Sequence, residues 1–87
     1  MKLKKEFIPH DTGKESLLLP TGSAGFAGLV KGNRTLGVIL EYLRNDDLTE
    51  SEIIAAMKER FDAPEGVIAR DVRKAIAELR RIGALNE

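Results

Sequence analysis

Residues 64–85 read PEGVIARDVRKAIAELRRIGAL, and the fold follows from how this stretch is read. Ile68, Val72, Ala75, Ile76, Leu79 and Ile82 recur at spacings of three and four, which places them on one face of a helix. Pro64 suits the first turn, where a missing amide hydrogen costs nothing, and Glu65 complements the positive end of the helix dipole. Arg80 and Arg81 fall in the last turn, where cations are favoured, and Gly83 follows as a left-handed stop. At about 100° per residue, Arg70, Arg73, Lys74, Arg80 and Arg81 lie away from the apolar stripe. The helix has a core face and a basic face.

Working back from Pro64, Asp62-Ala63 is a turn. Before it Ile53, Ile54, Met57 and Phe61 mark a second amphipathic helix, opened by a capping box in which Thr49 and Glu52 satisfy each other's amides. Asp46-Asp47-Leu48 is a connector. Leu36, Ile39, Leu40 and Leu43 form the apolar face of an earlier helix, with Asn33 as its N-cap and an end near Arg44-Asn45. Ahead of Gly32 the pattern changes to strands: Leu3 to His10, then turn residues Asp11 to Lys14, then Glu15 to Leu19. A loop from Pro20 to Gly25 leads to a third short strand, Phe26 to Lys31. Leu17, Leu18 and Leu19 do not alternate with polar residues, so both faces of the second strand are expected to be covered.

The order is βββααα, an α+β fold in which a three-stranded antiparallel meander packs on three helices. One domain spans residues 1–87, with the strands in 1–32 and the helices in 33–87. Ile39, Leu43, Ile53, Met57, Phe61, Val72, Ile76 and Leu79 are expected to meet in one core.

The 87 residues, 43% of them hydrophobic, suit a single ordered domain. There is no cysteine and one histidine, so neither a disulfide framework nor a zinc site can be assembled, and no cofactor is expected. A cysteine-free chain without a signal-peptide pattern or a membrane-length apolar run is expected in the cytoplasm. Net charge is zero, with five basic and three acidic residues in 1–33, four and seven in 34–62, and five and four in 63–87. A dedicated nucleic-acid binder carries a stronger basic bias. His10 lacks a nucleophile or acid partner, the glycines at 22, 25 and 28 match no nucleotide-binding pattern, and Asp46-Asp47 reads as a solvated connector, so no enzymatic activity is expected.

The basic side of the last helix is the surface with chemical content. Ala69, Ile76 and Ala77 set small or apolar atoms beside its cations, a combination suited to an acidic or amphipathic peptide. A short third strand at a sheet edge would offer unpaired backbone groups for strand addition.

Three runs then resemble the PqqD family of peptide-chaperone proteins. They are Phe7-Ile8 with Gly13-x-x-x-Leu17-Leu18-Leu19-Pro20-Thr21-Gly22, then Gly28-Leu29-Val30-x-x-Asn33-x-Thr35-x-x-x-Ile39, then Asp71-Val72-x-x-x-Ile76-x-x-Leu79-x-x-x-Gly83-x-Leu85. Gly32 stands where the family usually has leucine, and Leu40 where it often has an aromatic residue. The resemblance implies a winged helix-turn-helix-like domain, of the kind called a RiPP recognition element. Such a domain holds the leader of a ribosomally made precursor peptide and presents it to a modifying enzyme, often of the radical SAM type. It implies a leader lying as an added strand beside the third strand, against the third helix. Carried over by position, the peptide-binding residues are Ala27, Gly28, Leu29, Val30 and Lys31 on the strand, and Ala69, Arg70, Arg73, Ile76, Ala77 and Arg80 on the helix. Arg73 or Arg80 would hold a peptide carboxylate, and Leu29 would help to seat an apolar residue.

The rival class is a winged-helix DNA-binding domain of a small regulator, with Arg70, Arg73 and Lys74 near the major groove. The seven acids of residues 34–62, the region of the first two helices, oppose it, so no nucleic acid and no membrane are expected as partners. A small oligomerisation domain using the free strand edge is the third option; a monomer or weak dimer is expected.

Overall fold

Eight elements make up the computed structural model, which describes residues 1–21 and 30–87. They are β1 (Lys2–Leu3), β2 (Phe7–Asp11), β3 (Ser16–Pro20), β4 (Val30–Gly32), α1 (Arg34–Asn45), α2 (Glu50–Arg60), α3 (Val67–Arg81) and β5 (Leu85–Asn86). β2, β3 and β4 form an antiparallel sheet in that order, followed by the three helices, as expected. Of the predicted third strand, Phe26 to Leu29 lies outside the described residues; the described part continues one residue further, to Gly32.

Two short strands depart from expectation. The stretch from Leu3 to His10 is not one strand, because the amide of Phe7 donates to the Lys4 carbonyl (3.1 Å) and turns the chain. β1, on the near side of that turn, pairs antiparallel with β5, Leu3 opposite Leu85. The Lys4 amide extends the clasp by donating to the carbonyl of Ala84 (2.9 Å).

The helix boundaries come from local capping chemistry. Asn33 Oδ1 accepts from the amide of Leu36 (3.1 Å) at the start of α1. At α2 the Thr49 amide donates to Glu52 Oε1 (3.0 Å) and the Glu52 amide to Thr49 Oγ1 (3.2 Å), the reciprocal capping box. α3 starts later than Pro64 suggests. Its N-cap is Gly66 with φ +85°, and the Pro64 carbonyl accepts from Val67 (3.2 Å), so the proline sits in the turn ahead of the helix. At the other end Gly83 is left-handed (φ +74°). Its amide donates to Arg80 and the Ala84 amide to Leu79 (3.1 and 2.9 Å), the paired bonds of a Schellman stop.

One core joins the helices to the inner sheet face. Ile39, Leu43, Ile53, Met57, Val72, Ile76 and Leu79 are fully or almost fully buried, and Phe61 packs half-buried at its margin. Leu3, Phe7, Leu18, Val38, Leu40, Ile82, Ala84 and Leu85 complete it. The outer sheet face is open, against the expectation for Leu17 to Leu19. Leu18 is buried, but Leu19 is 38% exposed beside its cross-strand partner Ile8 at 45%. An antiparallel sheet packed by helices on one side leaves the other wet.

Two close approaches bring α1 against the sheet. A side chain at Gly32 would run into Leu36, whose Cβ lies only 2.8 Å from where a Cβ would sit. Leu36 therefore fills the space that a family-typical leucine at position 32 would need. At Gly37 the neighbour is Ser16 of β3, its hydroxyl against the bare backbone and its Cβ 3.1 Å from an added Cβ.

Candidate functional site

β4 is one of the two edge strands of its sheet, β2 being the other. It pairs with β3 through Ser16 opposite Gly32, Leu17 opposite Lys31 and Leu18 opposite Val30, and no described strand lies on its other side. Edge strands turn alternate amides and carbonyls outward, ready to pair. Beside β4 runs an open groove of about 310 Å³. One wall is Lys31, Gly32, Asn33, Thr35 and Leu36; the other is Asp71, Lys74, Ala75 and Glu78 of α3. Those four helix positions are spaced i, i+3, i+4 and i+7, a single stripe along α3. Leu36 and Ala75, both half-buried, supply its apolar surface.

The helix side predicted from the sequence is the opposite flank. Arg73 pairs through Nε with Glu50 of α2 (3.6 Å). Arg80 forks onto Glu87, its Nε donating to both carboxylate oxygens (3.0 and 3.1 Å) and Nη2 to Oε1 (2.8 Å). Ile76 is fully buried in the core, as its own place in the apolar stripe explains. Ala69 is half-buried and Ala77 exposed, and neither borders the groove. Arg70 lies 3.5 Å from Asp71 and so stands next to the groove wall without lining it. On the strand side Lys31 lines the groove, Val30 precedes it in β4, and Ala27, Gly28 and Leu29 lie outside the described residues.

The stripe of Asp71, Lys74, Ala75 and Glu78 was missed because periodicity identifies the buried face of a helix without saying which neighbour borders each side. One signal was available: Asn33, as an N-cap directly after the strand, ties the start of α1 and hence Leu36 to the strand edge.

The groove carboxylates are partly neutralised. Glu78 accepts from Arg81 Nε (3.0 Å), and this hydrogen bond holds its carboxyl below the ordinary carboxylate range. The Arg80 fork lowers Glu87 in the same way on the far flank. A second depression, about 270 Å³, lies between the β2–β3 turn and α1, among Asp11, Lys14, Glu15, Arg34, Glu41 and Arg60. β3 is paired on both sides there, while β2, the other edge of the sheet, is paired with β3 alone among the described strands. Among the described residues no three His, Asp or Glu side chains converge as metal ligands, and no helix is long and apolar enough to cross a membrane.

Comparison with known proteins adds the family. The sequence profile of Coenzyme PQQ synthesis protein D (PqqD) matches residues 15–85, which takes in both walls of the groove. This chain belongs to the PqqD family. The solved structure of TbiB1 in complex with the TbiA(beta) leader peptide resembles it with a TM-score of 0.75, over 99% of this chain and 95% of that one, at 17% identity. At that identity the likeness carries the PqqD-like fold. A search of curated proteins finds no match.

Proposed function

We propose that this PqqD-family chain is a non-catalytic peptide chaperone. It takes the leader of a ribosomally made precursor as an added strand on β4, in the groove against α3, and presents it to a modifying enzyme of the radical SAM type. The observation that carries this reading is the free edge of β4 next to an open groove, in a fold shared with a protein solved with a leader peptide on it. Main-chain pairing at a sheet edge gives affinity with little demand on sequence, and the side chains facing the helix add selectivity. The DNA-binding alternative needs Arg70, Arg73 and Lys74 for phosphates, yet Asp71 and Glu50 already stand beside the two arginines.

The test is a titration of the leader of a small precursor encoded beside this chain, followed by amide chemical shifts. Shifts should concentrate at residues 30–36 and 71–78. N-methylation along the peptide should abolish binding at every second position, because a strand directs alternate amides to its partner. Uniform tolerance of N-methylation, or shifts confined to α2, would reject strand addition.

A further inference from the structure

Resting on strand addition at β4, we propose that the bound peptide is acidic: it sets one carboxylate outward beside Lys31 and an adjacent one inward beside Lys74, with an apolar residue next to them seated on Leu36 and Ala75. These two lysines stand on opposite walls of the groove. They differ from the arginines of α3 in forming no ion pair within 4 Å among the described residues. Each arginine of α3 has a carboxylate within 4 Å: Arg70 has Asp71, Arg73 has Glu50, Arg80 has Glu87 and Arg81 has Glu78. Lys31 and Lys74 make no ion pair among the described residues, and residues 22–29 contain no carboxylate that could supply one. The groove does contain acids, Asp71 and Glu78, but Arg70 and Arg81 answer them. Groove and flanking arginines together hold four cations against two carboxylates.

Register assigns the lysines to different faces of an added strand. Lys31 is opposite Leu17, and Leu17 opposite His10, so these three share the outward row of the sheet. A peptide residue directly across from Lys31 joins that row, where an opposite charge is favoured and a like charge is not. The residues before and after it turn inward, toward Leu36, Ala75 and Lys74. The same lysine disfavours self-association, because two β4 edges paired antiparallel would bring two copies of Lys31 together. A second copy of this chain is therefore a worse occupant than an acidic strand.

The experiment pans a displayed random-peptide library against the protein and against the double variant Lys31→Glu, Lys74→Glu. Both lysines are exposed, so the variant should melt like the parent. The parent's pool should gain two adjacent Asp or Glu residues next to an apolar one, and the variant's pool should gain Lys or Arg at those two positions. A synthetic peptide from the parent's pool should bind Lys74→Gln about two- to fivefold more weakly, as loss of an exposed ion pair does, and the double variant more weakly still. A pool without acid preference, unaltered by charge reversal but shifting the amides of residues 31–36 and 71–78, would overturn the acidic peptide and leave strand addition standing. Shifts elsewhere would overturn both. Equal shifts of the groove amides by a duplex oligonucleotide would make the lysines a site for polyanions and reject peptide selectivity.

Discussion

On the flank toward α2, α3 presents Arg73 to Glu50 and, further along, Arg80 to Glu87; on the flank toward β4 it presents Lys74 to an open groove. The residues are similar, yet one side is electrostatically complete and the other is not. A cation at 3.6 Å from a carboxylate of the neighbouring helix mainly helps to hold two helices in register, weakly, because both groups remain half in water. On the proposed reading, the cation beside the β4 edge receives its counter-charge from the bound peptide. Density of positive charge on a helix therefore locates a site less well than the absence of partners does.

The buried residue between the flanks provides the largest test. Ile76→Ala should lower stability by about 2–5 kcal/mol in urea unfolding, since it empties a fully buried position. A loss below about 1 kcal/mol would mean that α3 is rotated and the flanks are wrongly assigned. Gly32→Leu acts on the groove side alone. It should cost about 1–3 kcal/mol through overpacking against Leu36, and Leu36→Ala in the same chain should recover part of that loss. Strict additivity of the two changes would show that they do not share the space.

Adjacent residues give the sharpest contrast. Arg73→Glu sets two carboxylates together at α2 and should cost about 0–1 kcal/mol of stability, with less than about a twofold change in peptide affinity. Lys74→Glu should do the reverse, leaving the melt unaltered and weakening binding. Equal effects of the two on binding would erase the distinction between the flanks.

The smallest effect is in the acid limb. Hydrogen bonds from Arg81 and Arg80 lower Glu78 and Glu87 below the ordinary 4.5 for a glutamate. A carboxylate depressed in the folded state contributes stability above its unfolded pKa, and that contribution fades as pH falls through the lowered folded value. Carboxyl NMR titration should find both glutamates low, with Arg81→Gln returning only Glu78 toward 4.5 and Arg80→Gln returning only Glu87.

What was legible in the sequence was local chemistry. Asn33, the Thr49–Glu52 box and Gly83 each act within a few residues, and all three bound a helix where expected. The apolar stripe of α3 was legible for the same reason. The β1–β5 pairing was not, because it joins Leu3 to Leu85 and neither strand carries a pattern longer than two residues. The three leucines of β3 misled, since hydrophobicity of Leu19 does not supply a layer to cover it. Of the groove beside β4, Lys31 was among the residues expected from the sequence, while its helix wall depends on which side of the buried stripe packs toward β4, a matter of tertiary arrangement alone.

The bare backbone of Gly37 has a consequence outside the core. It lets α1 settle against the hydroxyl of Ser16, the one buried polar residue among those described, and the residue just before it, Leu36, forms groove wall. The width of the opening is thus gauged from behind, by a spacer that never meets the guest. A methyl group added at Gly37 would lift the start of α1 and carry Leu36 with it, retuning which side chains fit while every wall residue keeps its identity. On the proposed peptide reading, selectivity can in this way drift by a single substitution in the interior.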